Sequence, residues 1–156
     1  MKKALLLILV LVGVSAIAQN HEVGKEILPP LEVEKAFQKE FPKITPTWRK
    51  EYRGEDDSEL NYDADFVMNS IHMTAIYTAL GVFKVLQYEV ATSDVPAKAM
   101  RYLKKNYPQN KIIATTKVMD NSNKITYEIG IEINGKLSDA VFTKEGVFLE
   151  MVQKNK

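Results

Sequence analysis

From Leu60 onward the chain alternates. Leu60, Tyr62, Ala64, Phe66 and Met68 are separated by Asn61, Asp63, Asp65 and Val67, a period of two that predicts a half-buried strand. Ile125, Tyr127, Ile129, Ile131 and Ile133 do the same against Thr126, Glu128 and Glu132. Asn69-Ser70 and Asn134-Gly135 then predict tight hairpin turns. After the first turn Met73, Ala75 and Tyr77 return on the apolar phase, opposite His72, Thr74, Ile76 and Thr78. Ala140 and Phe142 follow the second turn in the same way. Gly81 and Gly146 mark further turns, each followed by another strand. An earlier strand is predicted near Thr47 to Arg53 and another near Lys111 to Met119. Gly54-Glu55-Asp56-Asp57 and Asp120-Asn121-Ser122-Asn123 close them.

Two segments change period. Val33, Phe37 and Phe41 recur every four residues with Ala36 beside them. Ala99, Leu103 and Tyr107 do likewise, with Lys98, Arg101, Lys104 and Lys105 facing water. Both patterns predict amphipathic helices. Ser93 and Asp94 are candidate caps ahead of Pro96. Pro42 and Pro108 end the helices, because the residue before proline is pushed out of helical geometry.

The two halves match. Between Tyr62–Phe83 and Tyr127–Phe148, a shift of 65, seven of 22 positions are identical: Tyr62/Tyr127, Asn69/Asn134, Ala75/Ala140, Thr78/Thr143 and the Gly-Val-Phe at 81–83 and 146–148. Upstream the shift becomes 66, pairing Pro30 with Pro96, Phe37 with Leu103, and Phe41-Pro42 with Tyr107-Pro108. The same alignment sets Trp48 and Tyr52, which share a strand face and read as core residues, against Ala114 and Val118. The expected organisation is a leader over 1–18, a tail over 19–29, and two copies of one unit over 30–92 and 93–156. Each unit reads as one helix and four antiparallel strands. The fold class is therefore α+β: two tandem units joined into one sheet of about eight strands, with both helices on one face and the other face solvated.

The first 18 residues stand apart. Met1-Lys2-Lys3 is a positive start, Ala4 to Val14 is an apolar run, and Ala16-Ile17-Ala18 supplies the small residues of a cleavage site. The pattern predicts a secretory signal peptide cut after Ala18. The apolar run is shorter than a membrane span needs, and a lipid-anchored leader needs a cysteine that the chain lacks. A periplasmic or secreted product without a membrane anchor follows. The whole chain has 156 residues and a formal charge of +1. Without the leader and its two lysines, 138 residues remain with 19 basic and 20 acidic side chains, a net −1. That balance gives no electrostatic case for nucleic acid. The absence of cysteine excludes disulfides, a thiol nucleophile and thiolate metal ligands.

Candidate chemistry is sparse. His21 and His72 are the only histidines, and no partner lies at catalytic or zinc-binding spacing from either. Gly54-Glu55-Asp56-Asp57-Ser58-Glu59 is acidic but lacks the ligand periodicity of a calcium loop, so it reads as a solvated hairpin tip. No cofactor, metal or catalytic residue is expected. The solvated sheet face is the candidate binding surface. Arg49, Arg53, Asp63, Asp65, His72, Thr74, Ile76, Glu128, Glu132 and Val141 are expected to project from it. Ile76, Val67 and Val141 are apolar where polar residues would suffice, and apolar patches rimmed by charge mark interaction surfaces.

The repeated pattern is a helix ending in aromatic-Pro, a Tyr-x-x-x-apolar strand, an Ala-x-aromatic strand and Gly-Val-Phe. It resembles the PepSY-like domains related to the β-lactamase inhibitor proteins, found in the envelopes of Bacteroides-type bacteria. The second copy carries the resemblance most fully, in Val95-Pro96, Tyr107-Pro108, Tyr127-Glu128-Ile129, Phe142 and Glu145-Gly146. The first departs from it at Leu80, where an acidic residue is usual. Together the copies cover about Leu31 to Val152. The resemblance implies a saddle-shaped sheet, a non-enzymatic role, a concave face that grips a protein, and a first-repeat hairpin that inserts an aspartate. In this chain that aspartate is Asp56 or Asp57. The expected function is an exported module that binds or inhibits an envelope or extracellular protein or peptide through the sheet face. The alternative is a carrier of a small molecule or peptide fragment, with a pocket between sheet and helices.

Overall fold

The computed structural model describes residues 27–53 and 58–153. The leader, its cleavage site, His21 and the acidic loop with Asp56 lie outside the described residues. The elements run α1 (Leu31–Glu40), β1 (Thr47–Arg53), β2 (Glu59–Met68), β3 (Ile71–Thr78), β4 (Phe83–Glu89), a 3₁₀ turn (Thr92–Asp94), α2 (Ala97–Asn106), β5 (Ile112–Asp120), β6 (Ile125–Ile133), β7 (Lys136–Thr143) and β8 (Phe148–Gln153). All eight strands form one antiparallel sheet in chain order. The class is α+β.

Both helices lie on one face, as their apolar stripes require. Val33 and Phe37 of α1 join Tyr62, Ala64, Phe66, Met73, Ala75 and Tyr77 in one core. Ala99 and Leu103 of α2 join Val95, Ile129, Ile131, Ala140 and Phe142 in a second. Phe37 is the hub of the first, with Phe41, Trp48 and Phe66 rings centred 5.1, 5.5 and 5.3 Å away. In the second, Tyr102 stacks on Phe148 at 4.6 Å. The helices end where the aromatic-Pro pairs predict: the Phe41 N–H donates to Phe37 O and the Tyr107 N–H to Leu103 O.

The last turn of each half is built alike. The Thr78 hydroxyl accepts the Leu80 and Val82 N–H groups, and the Thr143 hydroxyl accepts those of Glu145 and Val147. Gly81 and Gly146 both have φ of +77°. A Cβ on Gly81 would stand 2.6 Å from the Glu32 carbonyl oxygen, and one on Gly146 would stand 2.8 Å from the Ala99 nitrogen. Each glycine thus supplies a left-handed residue and lets the turn touch its helix. Matching bulges fall between Ile76 and Tyr77 and between Val141 and Phe142.

Several sequence expectations are corrected. Ser93 and Asp94 do not cap α2. They sit in the 3₁₀ turn, and Pro96 occupies the cap with no side-chain bond. The pairing of Trp48 and Tyr52 with Ala114 and Val118 is one residue out. Trp48 lies opposite Ala64 and Tyr52 opposite Leu60, whereas the matching places opposite Ile129 and Ile125 belong to Thr115 and Met119. A bulge between Ile112 and Ala114 adds the extra residue, and a one-residue slip reverses the face of every side chain. Trp48 does pack on the first core. Tyr52 is 55% exposed on the edge strand, with the Lys50 ammonium 5.3 Å from its ring centre.

Candidate functional site

Register decides what the face away from the helices carries. Arg49 lies opposite Asp63, Asp63 opposite Ile76, and Ile76 opposite Val85. Farther across, Gln87 lies opposite Val118, Glu128 opposite Val141, and Val141 opposite Glu150. No described helix crosses this face. Every described residue expected there is there, although Glu51, Asn61, Val118, Asp139 and Glu150 were missed. Glu51 was legible, since it stands two residues from both Arg49 and Arg53.

The first-half end is a closed ionic network. Arg49 donates from Nε to Asp65 Oδ2 at 2.5 Å and from Nη2 to Asp65 Oδ1 at 3.2 Å. Arg53 grips Asp63 with two bonds, of 2.8 and 2.7 Å. Glu51 accepts one bond from each arginine, both at 3.0 Å. The Thr74 hydroxyl donates to Asp65 Oδ1 at 2.7 Å. Paired guanidinium–carboxylate forks of this kind are short, directional and strong for their type. The bond to Asp65 raises the Arg49 pKa, and the bond to Asp63 raises that of Arg53.

Two residues expected to project from the face are instead covered. Asp63 is 1% exposed and Ile76 is 4% exposed. Asp63 lies beneath the two guanidinium groups, which satisfy its charge while sealing it. Val118 and Asp139 are also buried on this helix-free face, so side chains of adjacent strands close over its floor. Val67 remains 55% exposed and Val141 half-buried. His72 is exposed and lines a shallow cleft of about 140 Å³ with Thr74, Gln87 and Thr116. Glu132 is exposed and Glu128 half-buried. Asn61 is fully buried, and its Oδ1 accepts no hydrogen bond from the described residues.

The helix side carries open clefts. One of about 430 Å³ lies where β4 and β5 meet, walled by Tyr88, Tyr127, Val90 and Asp94, with Lys117 between the tyrosines. Another of about 380 Å³ lies between Leu28, Leu31, Gln38 and Trp48. Among the described residues no group of three or more His, Cys, Asp or Glu is placed to hold a metal ion. No described helix is long and apolar enough to cross a membrane.

Solved structures share this fold. A DUF2874 family protein from Bacteroides uniformis aligns with a TM-score of 0.67 at 17% identity, over 81% of this chain and 90% of its own. A BLIP-like protein from Bacteroides fragilis aligns with a TM-score of 0.61 at 16% identity, over 83% and 89%. A candidate periplasmic protein from Bacteroides eggerthii aligns with a TM-score of 0.68 at 19% identity, over 81% and 90%. The expected resemblance to the inhibitor-like fold is therefore present in three dimensions. No family model and no curated protein matches the chain.

Proposed function

We propose that the protein is an exported, non-enzymatic binding module made of two copies of one helix-plus-four-strand unit. It binds or inhibits an envelope or extracellular protein through the sheet face opposite the helices. The observation that carries this reading is the prearranged network of Arg49, Glu51, Arg53, Asp63 and Asp65 on a face that no described helix crosses. Side chains already held in place lose less freedom on binding, and charged groups in fixed register favour one partner over others. The likeness of the turns at Thr78–Val82 and Thr143–Val147 supports the duplicated unit. The charged leader with its apolar run, together with the fold shared with a candidate periplasmic protein, supports export.

Affinity capture from an envelope extract tests the reading. A partner retained by the native chain should be lost from Val67→Arg and Val141→Arg variants. It should be kept by Lys104→Glu, on the helix side. Capture unchanged in both sheet-face variants would exclude that face. The cleft at Tyr88, Lys117 and Tyr127 favours a second reading, a carrier of a small anionic or aromatic molecule. Ligand co-purifying with the native chain and absent from Lys117→Ala would support it.

A further inference from the structure

Sorting the charges by face shows a polarity that net charge conceals. The strands of the first half place Glu51, Glu59, Asp63, Asp65 and Glu89 on the side away from the helices. Those of the second half place Asp120, Glu128, Glu132, Asp139 and Glu150 there. Arg49 and Arg53 share this side, and both are bonded to its carboxylates. Lys84, at the start of β4, closes on Glu59 at 2.7 Å. Within β5 to β8 the two lysines, Lys117 and Lys136, lie opposite Tyr127 and Ile133, on the helix side. On the opposite side the second helix is basic: α2 exposes Lys98, Arg101, Lys104 and Lys105 and contains no acidic residue, whereas α1 carries Glu32, Glu34 and Glu40 against Lys35 and Lys39. A chain of nearly zero net charge thus has an acidic sheet face backed by a basic helix.

Resting on the sheet-face reading above, we infer that the partner presents a cationic, Lys/Arg-rich polypeptide surface to this face. The argument is charge complementarity. A concentrated negative face raises the encounter rate of a positive partner and repels negative ones, by several kT near the surface. The binding energy is unevenly placed. Glu51, Asp63 and Asp65 are already engaged by arginines and Glu59 by Lys84, so exposed Glu89, Glu132 and Glu150 offer the acidic surface that a cation can approach. Leu137 and Val152 are exposed beside the last two, 39% and 45%, and would take the apolar stems of lysine or arginine. The basic stripe of α2 is a rival occupant from a second copy. Seating it on the acidic face of a neighbour is a heterologous contact that need not close and would build open chains, so a foreign partner is the better fit.

The test uses the purified exported chain and fluorescein-labelled decalysine, with decaglutamate as the opposite probe. Decalysine should bind at low salt and weaken steeply toward about 150 mM, and decaglutamate should bind less well. Reversing three exposed sheet-face acids (Glu89→Lys, Glu132→Lys, Glu150→Lys) should weaken decalysine about tenfold. Reversing three exposed acids elsewhere (Glu32→Lys, Glu34→Lys, Glu145→Lys) gives the same net charge and should leave binding nearly unchanged. Equal losses in both sets, or no decalysine binding, would overturn the inference. So would self-association that Arg101→Glu abolishes. The same variants separate this inference from the reading beneath it. A captured partner lost from Val67→Arg but kept by the triple reversal would overturn the cationic partner and leave the sheet-face site standing. A partner kept by every sheet-face variant would overturn that site itself.

Discussion

Tyr77 and Asp63 show how differently two buried polar groups can be settled. The Tyr77 ring is fully buried among Phe37, Trp48 and Phe83, and its hydroxyl has no hydrogen-bond partner among the described residues. Burial first, and the charge of Glu40 second, push its pKa well above the usual phenol range. The folded state therefore holds the proton more tightly than the unfolded chain does. Stability should be independent of this group below about pH 10, where both states are neutral. It should fall as pH rises further and the unfolded chain ionises. Tyr77→Phe should remove that alkaline loss and raise stability at neutral pH by about 1 kcal/mol, since it deletes an unpaired buried hydroxyl. Urea titrations at neutral pH and near pH 11 read both effects. Asp63 is the opposite case, a buried carboxylate held by two arginines. Asp63→Asn should cost about 2 kcal/mol, because it breaks a charged fork within a covered site. Arg49→Ala, whose side chain is half exposed, should cost about 1 kcal/mol or less.

At the scale of elements, the turns after β3 and β7 bind sheet to helix. Gly146→Ala must adopt a strained φ and also place its Cβ against the Ala99 nitrogen. Gly135 has nearly the same φ but open space around it. Gly135→Ala should therefore cost about 1 kcal/mol from strain alone, and Gly146→Ala clearly more. Thermal melts of the two variants give the comparison directly. The elements themselves were legible because two periods alternate so cleanly along the chain: four residues in α1 and α2, two residues in β2 and β6. What misled was local. Ser93 and Asp94 have capping chemistry, but the chain spends them on a 3₁₀ turn before Pro96. The extra residue in β5 has no marker of its own, since Ile113 is as strand-like as its neighbours, so the alignment of β1 with β5 slipped by one.

At the scale of the whole molecule, alternation told which residues share the sheet face but not how far each is covered. Ile76 and His72 have the same phase, yet Ile76 is buried and His72 exposed, because cover depends on strands that are distant in sequence. The same dependence bears on whether the two cores are one folding unit. Five residue pairs join β4 to β5. The Thr115 hydroxyl extends that seam by donating to the Val90 carbonyl at 2.5 Å. β4 also packs Leu86 and Tyr88 on the first core, while Val90 just beyond it packs on the second. The seam is therefore both a hydrogen-bonded ladder and a shared wall, and a half that unfolded alone would expose apolar surface of the other. Trp48, the single tryptophan, sits in the first core and reports on that half, whereas far-UV circular dichroism reports on both. The two signals should follow one denaturation curve. Phe142→Ala, in the second core, should cost about 3–5 kcal/mol and move the Trp48 midpoint by the same amount as the dichroism midpoint. A Trp48 transition that stayed in place would show that the β4–β5 seam yields first and that the halves unfold independently.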